Sequence, residues 1–138
     1  MKYTYKLSKE SLILLYDAGR SAVINGNYTY TSYSSELEYC FKLYDAFLSD
    51  NGEVLWKILK SLPQSRFNIP NYVDVNTCWS TTFTGDNLIK NIEKFHTKLN
   101  ETVFKNNRIY KKEAILLMLR FQYAISHKDE FKDVLIMK

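Results

Sequence analysis

The chain has few of the residues that form turns or cross-links in a fold. Its 138 residues include four glycines, two prolines and two cysteines. So little glycine and proline argues against a many-turned β-sandwich, whose short strands need frequent turns. Cys40 and Cys78 are far apart and match no metal-ligand spacing. The sequence therefore predicts no metal site and no cofactor, and we expect a domain that its hydrophobic core holds together.

Long apolar runs are also missing. The longest uninterrupted one, from Ala114 to Leu119, is far shorter than the roughly 20 residues of a membrane-spanning helix. The first residues, Met1 to Lys6, lack the apolar core of a secretory signal. We therefore expect no membrane partner and a cytoplasmic location with reduced thiols.

Charge of one sign is not concentrated anywhere. The formal net charge is +4, and no window holds five like charges. Lysine outnumbers arginine fifteen to four, although arginine is the better reader of phosphates and bases. These features favour solvated helix faces over a nucleic-acid-binding surface. The abundance of Lys, Asn and Ile fits an AT-rich genome, such as that of a low-GC bacterium, a phage or a large DNA virus.

What is present is apolar periodicity at helical spacing. The sequence predicts one mainly α domain over residues 1–138 with about five helices. Ser8 begins the first helix and Asn25-Gly26 ends it, although this dipeptide is also a good hairpin turn. The second helix starts at a capping box, Ser35 to Glu38. The others are predicted over residues 53–62, 87–104 and 109–127, and the last is the central one. The buried face predicted for the first helix consists of Leu12, Leu15, Tyr16 and Val23.

A minor β element is expected beside the helices, with short strands near residues 28–33 and 72–75. The second strand lies in a segment, residues 63–86, that contains both prolines and breaks the helical rhythm. An irregular segment of this length inside a compact domain is uncommon. It is usually functional, or else it hides a short hairpin.

The segment from Asn25 to Ser35 has the composition of a recognition loop. It carries Tyr28, Tyr30 and Tyr33 among Ser, Thr, Asn and Gly. Tyrosine supplies contact area at low entropic cost, and the small polar residues adapt their hydrogen bonds. Segment 63–86 adds Tyr72 and Trp79, and Trp is enriched in binding hot spots. These five residues are the predicted binding site; the alternative is an edge strand or ordered loop whose tyrosines lie against the helices.

Arg120 and His127 are seven residues apart and share one helix face. Arg-x6-His resembles the motif of HEPN ribonucleases. In that family the histidine is thought to promote attack by a ribose 2′-hydroxyl, and the arginine to stabilise the phosphate charge. Here Phe121 stands where the family usually has a polar residue, and the gap is six residues rather than four. The alternative is structural: Arg120 at the core boundary, and His127 at a helix C-terminus, where the helix dipole favours a cation.

The resulting expectation is a non-catalytic protein-binding module that occludes a partner protein, with no catalytic residues. Small size, this composition and loop aromatics are typical of an inhibitor, immunity or anti-defence protein of a mobile element. One alternative is a HEPN-like, metal-independent ribonuclease that uses Arg120 and His127. A second is a single-stranded nucleic-acid binder whose exposed tyrosines stack on bases.

Overall fold

The structure is a computed structural model that describes residues 2–47, 52–74 and 77–135. Within these residues it contains five α-helices, two β-strands and two short 3₁₀ helices. In chain order they are β1 (Lys2–Ser8), α1 (Lys9–Asn25), α2 (Tyr33–Phe47), α3 (Gly52–Ser61), a 3₁₀ helix (Gln64–Phe67), β2 (Cys78–Thr84), α4 (Asp86–Glu101), α5 (Lys111–Ser126) and a second 3₁₀ helix (Lys128–Glu130). The prediction of a mainly α fold with a minor β element is confirmed. The assignment of residues 1–138 to one domain stays a prediction.

The predicted ends of α1 are confirmed by its hydrogen bonds. Ser8 precedes the helix in an extended conformation, and its Oγ accepts from the main-chain N–H of Ser11 at 3.2 Å. The N–H of Gly26 donates to Ala22 O at 2.8 Å and closes the last turn. Asn27 then adopts the left-handed conformation, with a φ of 61°. The hairpin alternative is wrong, because the chain leaves a helix here and not a strand.

The cap of α2 differs from the prediction. Ser32 Oγ accepts from the N–H of Ser35 at 3.2 Å, and Ser35 Oγ accepts from the N–H of Ser32 at 2.8 Å. This reciprocal pair works as a capping box does, with serine in the place of the usual glutamate. The predicted box from Ser35 to Glu38 is therefore wrong, since Ser35 already lies inside the helix. Tyr33 consequently belongs to the first turn of α2 and not to the preceding loop.

The β element is an antiparallel pair of β1 and β2, and neither strand was predicted. Leu7 lies opposite Trp79, and Tyr5 lies opposite Thr81. Buried and exposed residues alternate over residues 4–7 and 80–84, as they do when one face of a sheet packs on a core. The sheet covers α1, α2 and α4 at one side of the fold.

The predicted strands near residues 28–33 and 72–75 are wrong. Residues 28–32 are irregular, because they follow the left-handed Asn27 and lead directly into the α2 cap. Residues 72–74 belong to a turn: the N–H of Val73 donates to Pro70 O at 3.1 Å, and Gln64 Nε2 donates to Val73 O at 3.1 Å. These local bonds occupy main-chain groups that a strand would share with a neighbour. Residue 75 lies outside the described residues.

α5 is the central helix, as predicted. Every residue from Leu117 to Ala124 is buried, and a helix that is covered all round lies inside its fold. Aromatic rings pack around it: the ring centroid of Trp56 lies 4.9 Å from that of Phe95 and 5.6 Å from that of Phe121. No helix within the described residues is long and apolar enough to cross a membrane.

α1 buries Leu14 and Leu15 together with its small residues, and it exposes other large ones. Ala18, Gly19 and Ala22 are buried, whereas Tyr16 is 71% exposed and Val23 is 45% exposed. The predicted buried face of α1 is therefore wrong for Tyr16 and Val23. The physical reason is close packing, because small side chains let the backbone of α1 approach its neighbours α2 and α5.

A buried ion pair joins three helices. Arg120 of α5 donates through Nε to Glu10 Oε2 at 2.7 Å, and both side chains are more than nine-tenths buried. Arg120 Nη1 also donates to the carbonyls of Leu59 and Leu62, at 2.6 and 2.8 Å. These carbonyls lie at the C-terminal end of α3, where the helix dipole favours a cation. Glu10 lies in the first turn of α1, where the dipole favours an anion.

Replacing Arg120 with methionine tests how much this ion pair contributes to the free energy of unfolding. We expect Arg120→Met to lower the free energy of unfolding by about 3–5 kcal/mol, because Glu10 is left buried without a counter-charge. The measurement is urea denaturation followed by circular dichroism.

Arg66→Met is the matched control. Arg66 pairs with Asp133 at 3.0 Å and lies over the Phe131 ring, as Arg120 lies over the Phe67 ring, but the Arg66 pair is at the surface. We expect a much smaller loss for Arg66→Met. Equal losses for the two variants would contradict a structural role for the buried pair.

Candidate functional site

The exposed face of α1 is an apolar stripe. Ile13, Tyr16, Val23 and Ile24 are spaced so that they share one side of the helix, and Tyr16 and Ile24 are 71% and 68% exposed. The exposed Arg20 lies on the same side, between Tyr16 and Val23. Single exposed apolar residues are ordinary, but four on one helix face indicate a contact surface. We call this stripe, with the two grooves that flank it, the α1 outer surface.

The first groove lies between α1, the start of α2 and β2. Its volume is about 460 Å³. The lining residues are Lys9, Leu12, Ile13, Tyr16, Tyr33, Trp79, Ser80 and Thr81. Because aromatic and aliphatic side chains predominate, it offers apolar area with polar groups at the edges, the usual make-up of a protein contact site. We call it the Trp79 groove.

The second groove lies between α1 and the loop that precedes α2. Its volume is about 400 Å³. The lining residues are Tyr16, Gly19, Arg20, Val23, Ile24, Tyr30, Thr31 and Glu36. Tyr16 lines both grooves, so the two adjoin along the helix. We call this one the Tyr30 groove.

The structure brings three of the five predicted binding residues to this surface. Tyr33 and Trp79 line the same groove, and Tyr30 lines the neighbouring one. Tyr30 is 83% exposed. Tyr28 packs inward instead: its ring lies 6.0 Å from that of Tyr39, and Lys42 Nζ donates to its hydroxyl at 3.1 Å.

Tyr72 is exposed but lies elsewhere, at a polar cavity of about 580 Å³. Arg120, Glu10 and Gln64 line the same cavity. Gln64 Nε2 donates to Pro70 O at 2.6 Å, while Gln64 Oε1 is buried without a hydrogen-bond partner. Tyr72 and Arg120 therefore border one cavity, although the sequence predicts different functions for them.

Glu36 is the unusual residue of the Tyr30 groove. It is buried, its Oε2 accepts from Thr31 Oγ1 at 2.9 Å, and its Oε1 has no partner. Burial raises the pKa of the Glu36 carboxyl, and the hydrogen bond from Thr31 acts against that rise. Gly19 makes room for this carboxyl, because a Cβ at position 19 would overlap Glu36 Oε2 and lie 2.9 Å from Thr31 Oγ1.

Sequence reasoning missed Ile13, Ile24 and Glu36, and assigned Tyr16 to the core. One signal could have shown the outer stripe: α1 is apolar on two sides, and only one side of a helix can face the core of so small a domain. The side with Ala18, Gly19 and Ala22 is the one that packs closely. No sequence signal indicates that Glu36 is buried without a counter-charge.

Arg120 and His127 have separate surroundings. The Arg120 guanidinium contacts Glu10, the end of α3 and the Phe67 ring. The His127 ring stacks on Tyr123 with 4.0 Å between centroids, and its Nε2 lies 3.5 Å from Asp17 Oδ1. Among the described residues, the two side chains share no hydrogen-bond, ion-pair or ring partner. In the part of the chain that the structure describes, no group of three or more His, Cys, Asp or Glu could hold a metal ion.

The raised pKa of Glu36 predicts a pH dependence of stability. The folded protein binds this proton more tightly than the unfolded chain does. The resulting stabilisation is complete below the ordinary pKa of 4.5 and is lost as the pH rises through the higher pKa of the folded state. Glu36→Gln has no such proton. Its free energy of unfolding, minus that of the parent protein, should therefore increase from about pH 4 to about pH 8.

Asp133→Asn provides a control of opposite sign. The hydrogen bond from Arg66 lowers the pKa of Asp133, so its stabilisation is present above the ordinary pKa and is lost as the pH falls. Urea denaturation at a series of pH values measures both differences. A difference for Glu36→Gln that stays flat or shrinks as the pH rises would show that the carboxyl is not desolvated.

Comparison with known proteins identifies no relative from which a function could be inferred. No protein-family model, curated protein or solved structure matches this chain. The α1 outer surface, with its exposed aromatic residues and its buried carboxyl, is the feature from which a function can be inferred.

Proposed function

We propose that this protein binds another protein through the α1 outer surface and acts without catalysis. The observation that carries the proposal is the convergence of Tyr16, Tyr30, Tyr33 and Trp79 on two adjoining apolar grooves. Tyr16, Tyr33 and Trp79 lie on helices or a strand, and aromatic residues held on such elements lose little entropy on binding and dominate contact energies. An apolar surface of this kind is costly to leave in water, so a partner that covers it gains binding energy.

The mode of action that we propose is occlusion: the protein covers the active surface of its partner. Within this class we propose an inhibitor, immunity or anti-defence protein of a low-GC bacterium, phage or virus. The small size of the chain and its Lys-, Asn- and Ile-rich composition support that assignment. We also propose a cytoplasmic location, which fits a chain with only two cysteines.

The charges of the grooves favour a protein over a nucleic acid. Lys9 and Arg20 are the cations that line them, one in each groove. Glu36 adds a carboxylate to the Tyr30 groove, and a carboxylate repels phosphates. Nucleic-acid binders combine stacking rings with a cationic track along the backbone, and two separated cations do not form such a track.

Removing two exposed tyrosines tests the binding proposal. We expect Tyr30→Ala with Tyr33→Ala to change the free energy of unfolding by about 0.5 kcal/mol or less per site, since Tyr30 is 83% exposed and Tyr33 is 49% exposed. Binding should weaken by about 2 kcal/mol or more, roughly 30-fold, as for a hot spot. The partner is captured from the native host or its competitor, identified by mass spectrometry, and titrated against both variants by calorimetry.

Two further tyrosines sharpen this test. Tyr110→Ala is the control, because Tyr110 is 72% exposed and lies outside both grooves. Tyr72→Ala tests whether the polar cavity, rather than the α1 outer surface, binds the partner. Full affinity in the Tyr30/Tyr33 double variant, or unfolding of that variant, would refute the proposal.

The ribonuclease alternative needs Arg120 and His127 to act on one phosphate. Arg120 is 6% exposed and already donates to Glu10 and two carbonyls, so a structural role accounts for it fully. Incubation of the protein with RNA separates the two functions. Cleavage that survives EDTA and disappears in His127→Ala would replace the binding proposal with the catalytic one.

Tryptophan fluorescence tests the single-stranded nucleic-acid alternative. Trp56 is 3% exposed and Trp79 is 45% exposed, so quenching by an added oligonucleotide reports on Trp79. We expect no quenching and no salt-sensitive retention on heparin, whereas both together would favour nucleic-acid binding.

A further inference from the structure

Glu36 is a buried carboxyl without a counter-charge at the side of an apolar groove. It is 8% exposed, and its Oε1 has no hydrogen-bond partner. No cation within the described residues lies within 4 Å of it. A buried carboxylate is costly unless it is paired. The Tyr30 groove therefore contains a carboxyl whose charged form a bound cation would stabilise.

The charged groups around Glu36 do not meet this need. Arg20 on α1 lines the same groove but forms no ion pair with Glu36. Asp17, also on α1, is a second carboxylate: Glu36 and Asp17 together raise the pKa of the buried Cys40 thiol on α2, although burial itself is the larger cause. His127 lies beside Asp17 and not beside Glu36. The surroundings of Glu36 thus favour an incoming positive charge.

The walls of the groove match a long side chain that ends in a cation. Tyr16, Ile24 and Tyr30 offer apolar and aromatic area. Lysine and arginine place an apolar stem on such area and keep the charged end free to pair. Aromatic faces also attract cations directly. The groove, about 400 Å³ in volume, has room for one such side chain beside the apolar contacts of a partner.

We propose that the Tyr30 groove receives a lysine or arginine side chain of the partner protein, with its stem against Ile24 and Tyr30 and its charged end paired with Glu36. This proposal rests on the proposed function, and it specifies the partner: a protein segment that presents a basic residue among apolar ones. The site would select against a partner with an acidic or neutral polar residue at that position, because Glu36 would then stay buried and unpaired.

A small-molecule probe tests the site without the partner. n-Butylammonium has the shape and charge of a lysine side chain, and butan-1-ol is its neutral counterpart. Each is titrated into the ¹⁵N-labelled full chain, with the amide shifts of Gly19 and Thr31 as readouts. We expect butylammonium to bind about tenfold more tightly than butanol, as for a partly buried charge-assisted contact. Glu36→Gln should reduce this ratio to about one.

Two variants serve as controls. Arg20→Gln removes a like charge from the groove and should leave the preference for butylammonium intact or increase it. Tyr33→Ala alters the Trp79 groove alone and should not change the preference. A preference that survives Glu36→Gln, or equal binding of the two probes by the parent protein, would overturn the proposal, and so would the binding of neither probe.

A second measurement needs no variant of Glu36. The ¹³C shift of its carboxyl, followed against pH, reports the pKa, which burial holds above its usual range in the free protein. Saturation with butylammonium should lower this pKa, because a bound cation favours the carboxylate. An unchanged pKa would overturn the proposal. These outcomes are independent of partner capture: loss of capture in the Tyr30/Tyr33 variant concerns the proposed function, whereas the probe ratio concerns Glu36 alone.

Discussion

The ion pair between Arg120 and Glu10 is the constraint on which the arrangement of α1 depends. Arg120 is fixed in the central helix and also binds the carbonyls at the end of α3. Glu10 must face it, and this sets the rotation of α1 about its own axis. Residues on the same side as Glu10, such as Leu14 and Ala18, then turn inward. Ile13, Tyr16 and Ile24 lie on the side away from Leu15, Ala18 and Ala22 and are exposed.

The exposed surface therefore follows from a polar interaction in the core. A different rotation of α1 could bury Tyr16 or Ile24 in place of Leu14 and Leu15, and burial of one such side chain is worth about 1.5–3 kcal/mol. The rotation would separate Glu10 from Arg120 and leave two buried charges unpaired, which costs more. The fold thus retains an apolar face and an unpaired carboxyl on the same surface. Features that reduce stability are typical of functional sites when they cluster in one place.

Local features of the sequence predict the helices well. The Ser8 cap and the stop at Asn25-Gly26 act over a few residues, and the structure confirms the helix that they bound. The apolar character of α5 likewise predicts its central position. The five proposed binding residues came from composition alone, and three of them share one surface because β2, α2 and the loop before α2 carry them to α1.

The features that were not predicted depend on partners far away in the chain. Tyr3, Tyr5 and Leu7 alternate with polar residues, which is a strand pattern, but a strand needs a neighbour, and β2 is supplied by a distant segment. The capping box failed for a different reason: Ser32 competes with Ser35 for the same helix start, and spacing does not decide between them. The burial of Glu36 depends on the approach of α1 at Gly19, which helical periodicity does not reveal.

The pairing of β1 with β2 determines when the Trp79 groove forms during folding. Ser8 and Cys78, which face each other across the sheet, are 70 positions apart in the chain. Contacts between such distant segments close a long loop and form late. During synthesis, β1 must wait until residue 84 has left the ribosome before it can pair fully. Trp79 reaches Ile13 and Tyr33 only after that closure, so a partner that recognises this groove would recognise a chain that has finished folding.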